Sequence, residues 1–133
     1  MSKSAIYTTN TAAQTIASDS IIPVGVTTRR FGQHIRQDGN VIDLLGQGYY
    51  LVNASATLIP ASTGTVTIQA QKDGVPIIGA SASQAVATAE TPIHLSLAFL
   101  VRNVCGCESS ILSFLLKDAA SVVSNLAVTV EKL

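Results

Sequence analysis

Residues 49–59 read YYLVNASATLI, and the fold turns on how this stretch alternates. Successive side chains of an extended strand point to opposite faces, so Tyr50, Val52, Ala54, Ala56 and Leu58 share one side and Asn53, Ser55 and Thr57 the other. The first side suits a core. The second, which also carries Tyr49 and Leu51, is neutral and small enough to meet another subunit.

The same two-residue period recurs outward from this stretch. In PIHLSLAFLV, Ile93, Leu95, Leu97, Phe99 and Val101 alternate with His94, Ser96, Ala98 and Leu100, again giving two usable faces. In GTVTIQAQKDGVPIIGA, Val66, Ile68 and Ala70 point inward and Asp73-Gly74 supplies the positive-φ residues of a hairpin turn. Asp38-Gly39 does the same between FGQHIR and VIDLL, and the final NLAVTVEKL places Leu126, Val128 and Val130 on one side. Turn signals every ten residues or so, with Thr, Val, Ile, Ser and Ala dominant, predict an all-β chain of about ten short strands. Two stretches resist. Over 109–124, Ile111, Leu112, Leu115, Leu116 and Ala119 have helical spacing behind a serine cap, so helix competes with strand. Over 80–90, ASASQAVATAE could be helical by propensity, though its serines and threonines suit a long loop or edge strand better.

The chain of 133 residues is long enough for one domain with its own core, and no linker or repeat divides it. Charged residues make up 12 % of it and hydrophobic ones 47 %, against about 25 % charged in an average soluble domain. So few charges would cover a lone monomer poorly, which predicts a homo-oligomer that hides a second neutral surface between subunits. No apolar run approaches the ~20 residues of a spanning helix, and no continuous apolar stretch follows Lys3 as a secretory signal requires. No membrane is therefore expected as a partner. The net charge of +0 gives no overall field toward nucleic acid, which is likewise not expected to bind.

The run NVIDLLGQGYYLVNASATL followed by VTIQAQKDGVPIIGA resembles C1q/tumour-necrosis-factor-like domains, where a Gly-x-Tyr precedes a long inner strand and an Asp-Gly ends a later one. Here the match falls on Gly48, Tyr49 and Tyr50, then on Asp73 and Gly74; residues 40–80 carry most of the likeness. The resemblance implies a jelly roll of two antiparallel sheets, forming a compact homotrimer. It implies that strands at 48–59, 93–102 and 124–132 lie together in the inner sheet, with Tyr49, Leu51, His94 and Leu100 on the face that meets neighbouring subunits. The likeness is greater to short bacterial and bacteriophage trimeric forms, because the chain has no collagen-like repeat.

Chemistry has few footholds. Cys105 and Cys107 in VCGCESS, with His34 and His94, are the only soft metal ligands, but Cys-x-Cys is tighter than the usual zinc knuckle. A thiol catalyst needs a base and an electropositive pocket, and only Arg102 is near in sequence. Gly106 would let the two cysteines join as a disulfide, or the segment is a hairpin connection between two inner strands with its thiols filling space. No cofactor and no enzymatic role is expected, because no Walker loop, GxSxG, HExxH or EF-hand pattern occurs. The sequon at Asn53 falls in mid-strand. Arg29, Arg30 and Arg36 concentrate in TTRRFGQHIR and read either as a solvated hairpin or as a docking patch for an acidic surface or phosphate.

The expected function is a non-enzymatic structural virion protein of a bacteriophage: a trimeric capsid decoration protein or a fibre or receptor-binding head. Its partners would be itself and the major capsid protein or another virion protein. Residues 1–20 form an N-terminal arm or edge strand of the single domain, 1–133. The competing reading is a carbohydrate- or receptor-binding module on a spore or cell surface.

Overall fold

A computed structural model describes residues 3–104 and 109–133. The long alternating strand at its centre is β7, Gly48–Pro60, with Tyr50, Val52, Ala54, Ala56 and Leu58 buried as their spacing predicts. Antiparallel to it on one side runs β10, Ile93–Asn103, in register from Ile93 opposite Leu58 to Asn103 opposite Gly48. On the other side runs β12, Ser121–Lys132. These three strands are the ones expected to lie together. Beyond β12 come β1, Ala5–Thr9, and β4, Val26–Phe31, while β2, Gln14–Ile16, pairs with the start of β12. Residues 1–20, read above as an arm or edge strand, therefore contribute β1 and β2 to this sheet; β1 is paired on both sides, to β12 and β4.

The second sheet runs β5 (Ile35–Asp38), β6 (Val41–Leu45), β11 (Ser109–Lys117), β8 (Gly64–Lys72) and β9 (Val75–Val86), with β3 (Ser20–Ile21) pairing β11. The Asp73-Gly74 turn joins β8 to β9 with φ of 54° and 81°, the two positive values of a type I′ hairpin. The turn from β5 into β6 falls one residue later than expected: Asp38 ends β5 opposite Val41, and Gly39, with φ of 62°, and Asn40 make the turn. Residues 80–86 belong to β9, an edge strand, and 109–117 form strand β11 rather than helix.

Both sheets are antiparallel, and their inner faces form one core in which Tyr50, Phe114, Leu58, Leu112, Leu116 and Leu126 are among the largest fully buried side chains. The result is an all-β two-sheet jelly-roll sandwich. One expectation is corrected. Asn103–Ser110 does not join two neighbouring strands of the inner sheet as a hairpin, because β10 pairs with β7 in the first sheet and β11 pairs with β6 and β8 in the second. β10 thus ends in one sheet and β11 begins in the other. Cys105 and Cys107 lie outside the described residues.

A buried polar cluster holds that crossover end together. Asn103, fully buried, donates from Nδ2 to the carbonyls of Leu44 and Gly46 at 3.2 Å each and accepts from the Ser110 hydroxyl through Oδ1. Tyr50 donates its hydroxyl to the carbonyls of Leu45 and Gly46 at 2.9 Å. A bend that would bury three bare carbonyls is thus satisfied by two side chains of the first sheet, with Ser110 of the second bonded to one of them.

Candidate functional site

The two outer faces of the sandwich differ in kind. On the second sheet, β8 and β9 present Thr65, Thr67, Gln69, Ser81 and Ser83 outward, with Thr67 bonded to Ser83 and to Asp118. Hydroxyl and amide side chains dominate these two rows, although Val75, Ile78 and Ile111 of the same sheet are exposed as well. The first sheet instead presents rows, set by register, in which apolar and small residues mix with Glu131, Asn53, Thr129 and Arg29. Leu100, Leu51, Glu131, Ala5 and Phe31 lie side by side across β10, β7, β12, β1 and β4. The next row is Ala98, Asn53, Thr129, Tyr7 and Arg29, followed by Ser96, Ser55 and Ala127.

Within these rows the small residues make a hollow of 520 Å³ lined by Asn53, Ser55, Ser96, Ala98, Ala127 and Thr129. Larger side chains stand beyond it on the same face. Leu100 is 52 % exposed, Tyr49 48 % and Phe31 61 %. Single exposed apolar residues are ordinary, whereas a contiguous apolar sheet face rimmed by polar groups marks an interaction site.

The sequence-derived residues fall as follows. Leu51 and Leu100 are cross-strand partners on this face, and Tyr49 continues it toward the start of β7, where the Arg102 guanidinium lies 5.6 Å from its ring centroid. His94 is on the same face but at the far end of β10, opposite Thr57, with Nδ1 and the Thr57 hydroxyl 3.5 Å apart. Three of the four residues therefore gather at one end of the face and His94 stands apart. The arginines do not form one patch. Arg29 pairs with Tyr7 on the outer face; Arg30, its neighbour along the strand, points the other way and donates from Nε to the Ile35 carbonyl at 2.7 Å; Arg36 sits in the second sheet, 3.2 Å from the Asp43 carboxylate. Alternation along β4 already implied that adjacent arginines would diverge.

Metal ligation finds no support among the described residues, which hold no group of three His, Cys, Asp or Glu able to share an ion. His34, bonded through its backbone N–H to the Ser4 hydroxyl, lies near Gly46 and the start of β7, while His94 begins β10 opposite Thr57. Those positions are separated by most of a long strand, roughly 30 Å at the usual rise per residue, so the two histidines cannot meet. No helix among the described residues is long and apolar enough to cross a membrane.

No protein-family model matches the sequence, and no curated protein matches it. The fold has many counterparts among solved structures. Murine APRIL superposes with a TM-score of 0.75 at 13 % identity, covering 98 % of this chain and 99 % of that one. The globular domain of zebrafish complement 1qA protein gives 0.69 at 9 % identity, covering 97 % and 95 %. PRD1 vertex protein P5 gives 0.60 at 16 % identity, covering 99 % and 96 %. The structural neighbours are TNF/C1q-like jelly-roll domains together with a vertex protein, and the whole length of this chain is used in the match.

Proposed function

We propose that this chain is a non-enzymatic structural protein of a bacteriophage particle, a trimeric jelly roll serving as a capsid decoration protein or as a fibre or receptor-binding head. The observation that carries the reading is the apolar outer face of the first sheet. A monomer would leave Leu100, Tyr49, Tyr7 and Phe31 against water, and Leu51 in part, beside a hollow of small residues; the second sheet also exposes Val75, Ile78 and Ile111, but its β8 and β9 rows are hydroxyl and amide side chains. Burial against copies of itself resolves the contrast. A trimer further requires a heterologous contact, in which different parts of the surface meet. Here the ridge of Leu100 and Tyr49 near the β10 edge and the hollow of Ser55, Ser96 and Ala127 are different parts of one face. His94, Tyr49, Leu51 and Leu100 belong to this interface in the proposal.

The virion assignment is supported by the likeness to a vertex protein over nearly the full chain. Arg29, with no partner among the described residues, serves docking to another virion protein. The test is to band particles from the producing cells on a density gradient and probe them for the chain. Co-banding in constant ratio to the capsid supports the reading. Recovery on spore coats or cell envelopes, with none in particles, would replace it with a surface-binding module.

A further inference from the structure

A net charge of +0 hides a separation of charge along the strands. Every lysine and arginine except Lys117 lies in the half of the sandwich where β7 begins, as the register shows: Arg102 is opposite Tyr49, Lys132 opposite Tyr50, Arg30 level with Val52 through Ile6 and Val130, and Lys72 opposite Leu112. The carboxylates of that half, among the described residues, are Asp43, Asp73 and Glu131, with Asp38, opposite Val41, near mid-height. The opposite end carries Asp19, Glu90 and Asp118, all exposed, with Lys117.

The centre of the basic end is built by backbone contacts. Lys132 donates its N–H to the Ser4 carbonyl at 2.8 Å, which sets Lys3 beside it, and its side chain crosses Gly48, where a Cβ would stand 3.1 Å from Lys132 Cε. Leu133 N–H bonds the Tyr49 carbonyl at 3.0 Å, and Arg102 lies over the Tyr49 ring. Lys72 Nζ donates to the Arg102 carbonyl at 2.7 Å. Lys3 and Lys132 have no side-chain partner among the described residues. Solubility does not call for such clustering, since dispersed charges of both signs serve it as well.

We propose that this end is a docking face for an acidic protein surface, with Lys3, Arg102 and Lys132 at its centre. The inference deepens the docking role given above and names its chemistry. Two features favour a protein partner over a nucleic acid. Arg30 and Arg36 are already engaged, with the Ile35 carbonyl and Asp43, and the carboxylates of Asp73 and Glu131 interrupt the cations. A continuous phosphate backbone would meet those carboxylates, whereas a protein surface can place its acids between them. A second copy fits less well, because Lys117 offsets part of the small acidic set at the other end. A threefold assembly would present the basic end three times and multiply weak contacts.

The test uses the purified full chain and a fluorescein-labelled (Glu-Ser-Gly)4 peptide as probe, with a short duplex DNA as competitor class. Peptide binding is expected at about 50 mM NaCl and should weaken at least tenfold by about 300 mM, as screened surface charge requires. Lys3→Glu with Lys132→Glu should abolish it, and the milder Lys3→Gln with Lys132→Gln should weaken it if the reversal harms folding. Glu90→Lys with Asp118→Lys, at the other end, should leave it intact. The proposal is overturned by no peptide binding, by tighter binding to duplex than to peptide, by equal loss in the far-end variant, or by salt-sensitive stacking of the protein alone that either charge-reversed variant removes. Sedimentation of the same samples separates failure of this face from failure of the trimer.

Discussion

Replacing Leu100 by serine should loosen the assembly without unfolding the chain. Leu100 exposes 52 % of its surface in the isolated protomer, on the order of 90 Å² for a leucine, and covering that area with a neighbour is worth about 2 kcal/mol. A trimer contains the site three times, so the change removes about 6 kcal/mol from its assembly free energy. At about 1.4 kcal/mol per tenfold, and with half-dissociation varying as the square root of the trimer constant, the midpoint concentration should rise about a hundredfold. Sedimentation velocity from about 0.1 to 100 µM follows the shift by mass action, and circular dichroism should show an unchanged β signature. The control is Ile111→Ser, because Ile111 is 44 % exposed on the outer face of the other sheet. An unmoved midpoint in Leu100→Ser, or an equal shift in Ile111→Ser, would refute the assignment of the interface to the first sheet.

Asn103→Ala should destabilise the fold by about 2–5 kcal/mol, since it strands the buried Leu44 carbonyl and the Ser110 hydroxyl and each unsatisfied group costs about 1–3 kcal/mol; denaturant midpoints measured at one protein concentration read it, and a loss below about 0.5 kcal/mol would show that the cluster is dispensable. Glu90 is exposed and adopts φ 62°, so Glu90→Gly should stabilise by about 1 kcal/mol by removing left-handed strain; a drop in melting temperature would contradict this. Gly25 has φ +94°, and a Cβ there would sit 2.2 Å from the Thr9 carbonyl oxygen, so Gly25→Ala should cost at least about 2 kcal/mol in the same denaturation assay. A wild-type midpoint would mean that the β1–β4 contact yields freely.

The faces of β7, β8, β10 and β12 were legible because each strand has a core on one side only, which leaves alternation intact in the sequence. β11 was not, and the cause is visible in its burial: Leu112, Ser113 and Phe114 are all buried in succession. Residues 20–22 run beside it in the sheet, with β3 paired to Leu115 and Leu116 and the Ile22 N–H bonded to the Phe114 carbonyl, and Ser113 is buried on the opposite face from Leu112 and Phe114. Burial from both sides erases the two-residue period and leaves a run that also fits a helix. The crossover from β10 to β11 was misread as a hairpin because nothing local distinguishes a return within a sheet from a passage between sheets; partners distant in sequence, Leu44 and Gly46, decide it. The division of Arg29 from Arg30 could have been read, since adjacent residues of a strand face opposite ways. The charge separation could not, for it depends on how distant strands stack end for end.

In the proposed trimer, two further copies of the chain cover the outer face of the first sheet. Sedimentation equilibrium of the wild-type protein at about 10 µM tests it most directly, with mass action setting the species present. Three chains of 13.8 kDa give about 41 kDa, the mass that a closed threefold assembly predicts. A single species at 13.8 kDa would contradict the account, because that face would then stand open to water.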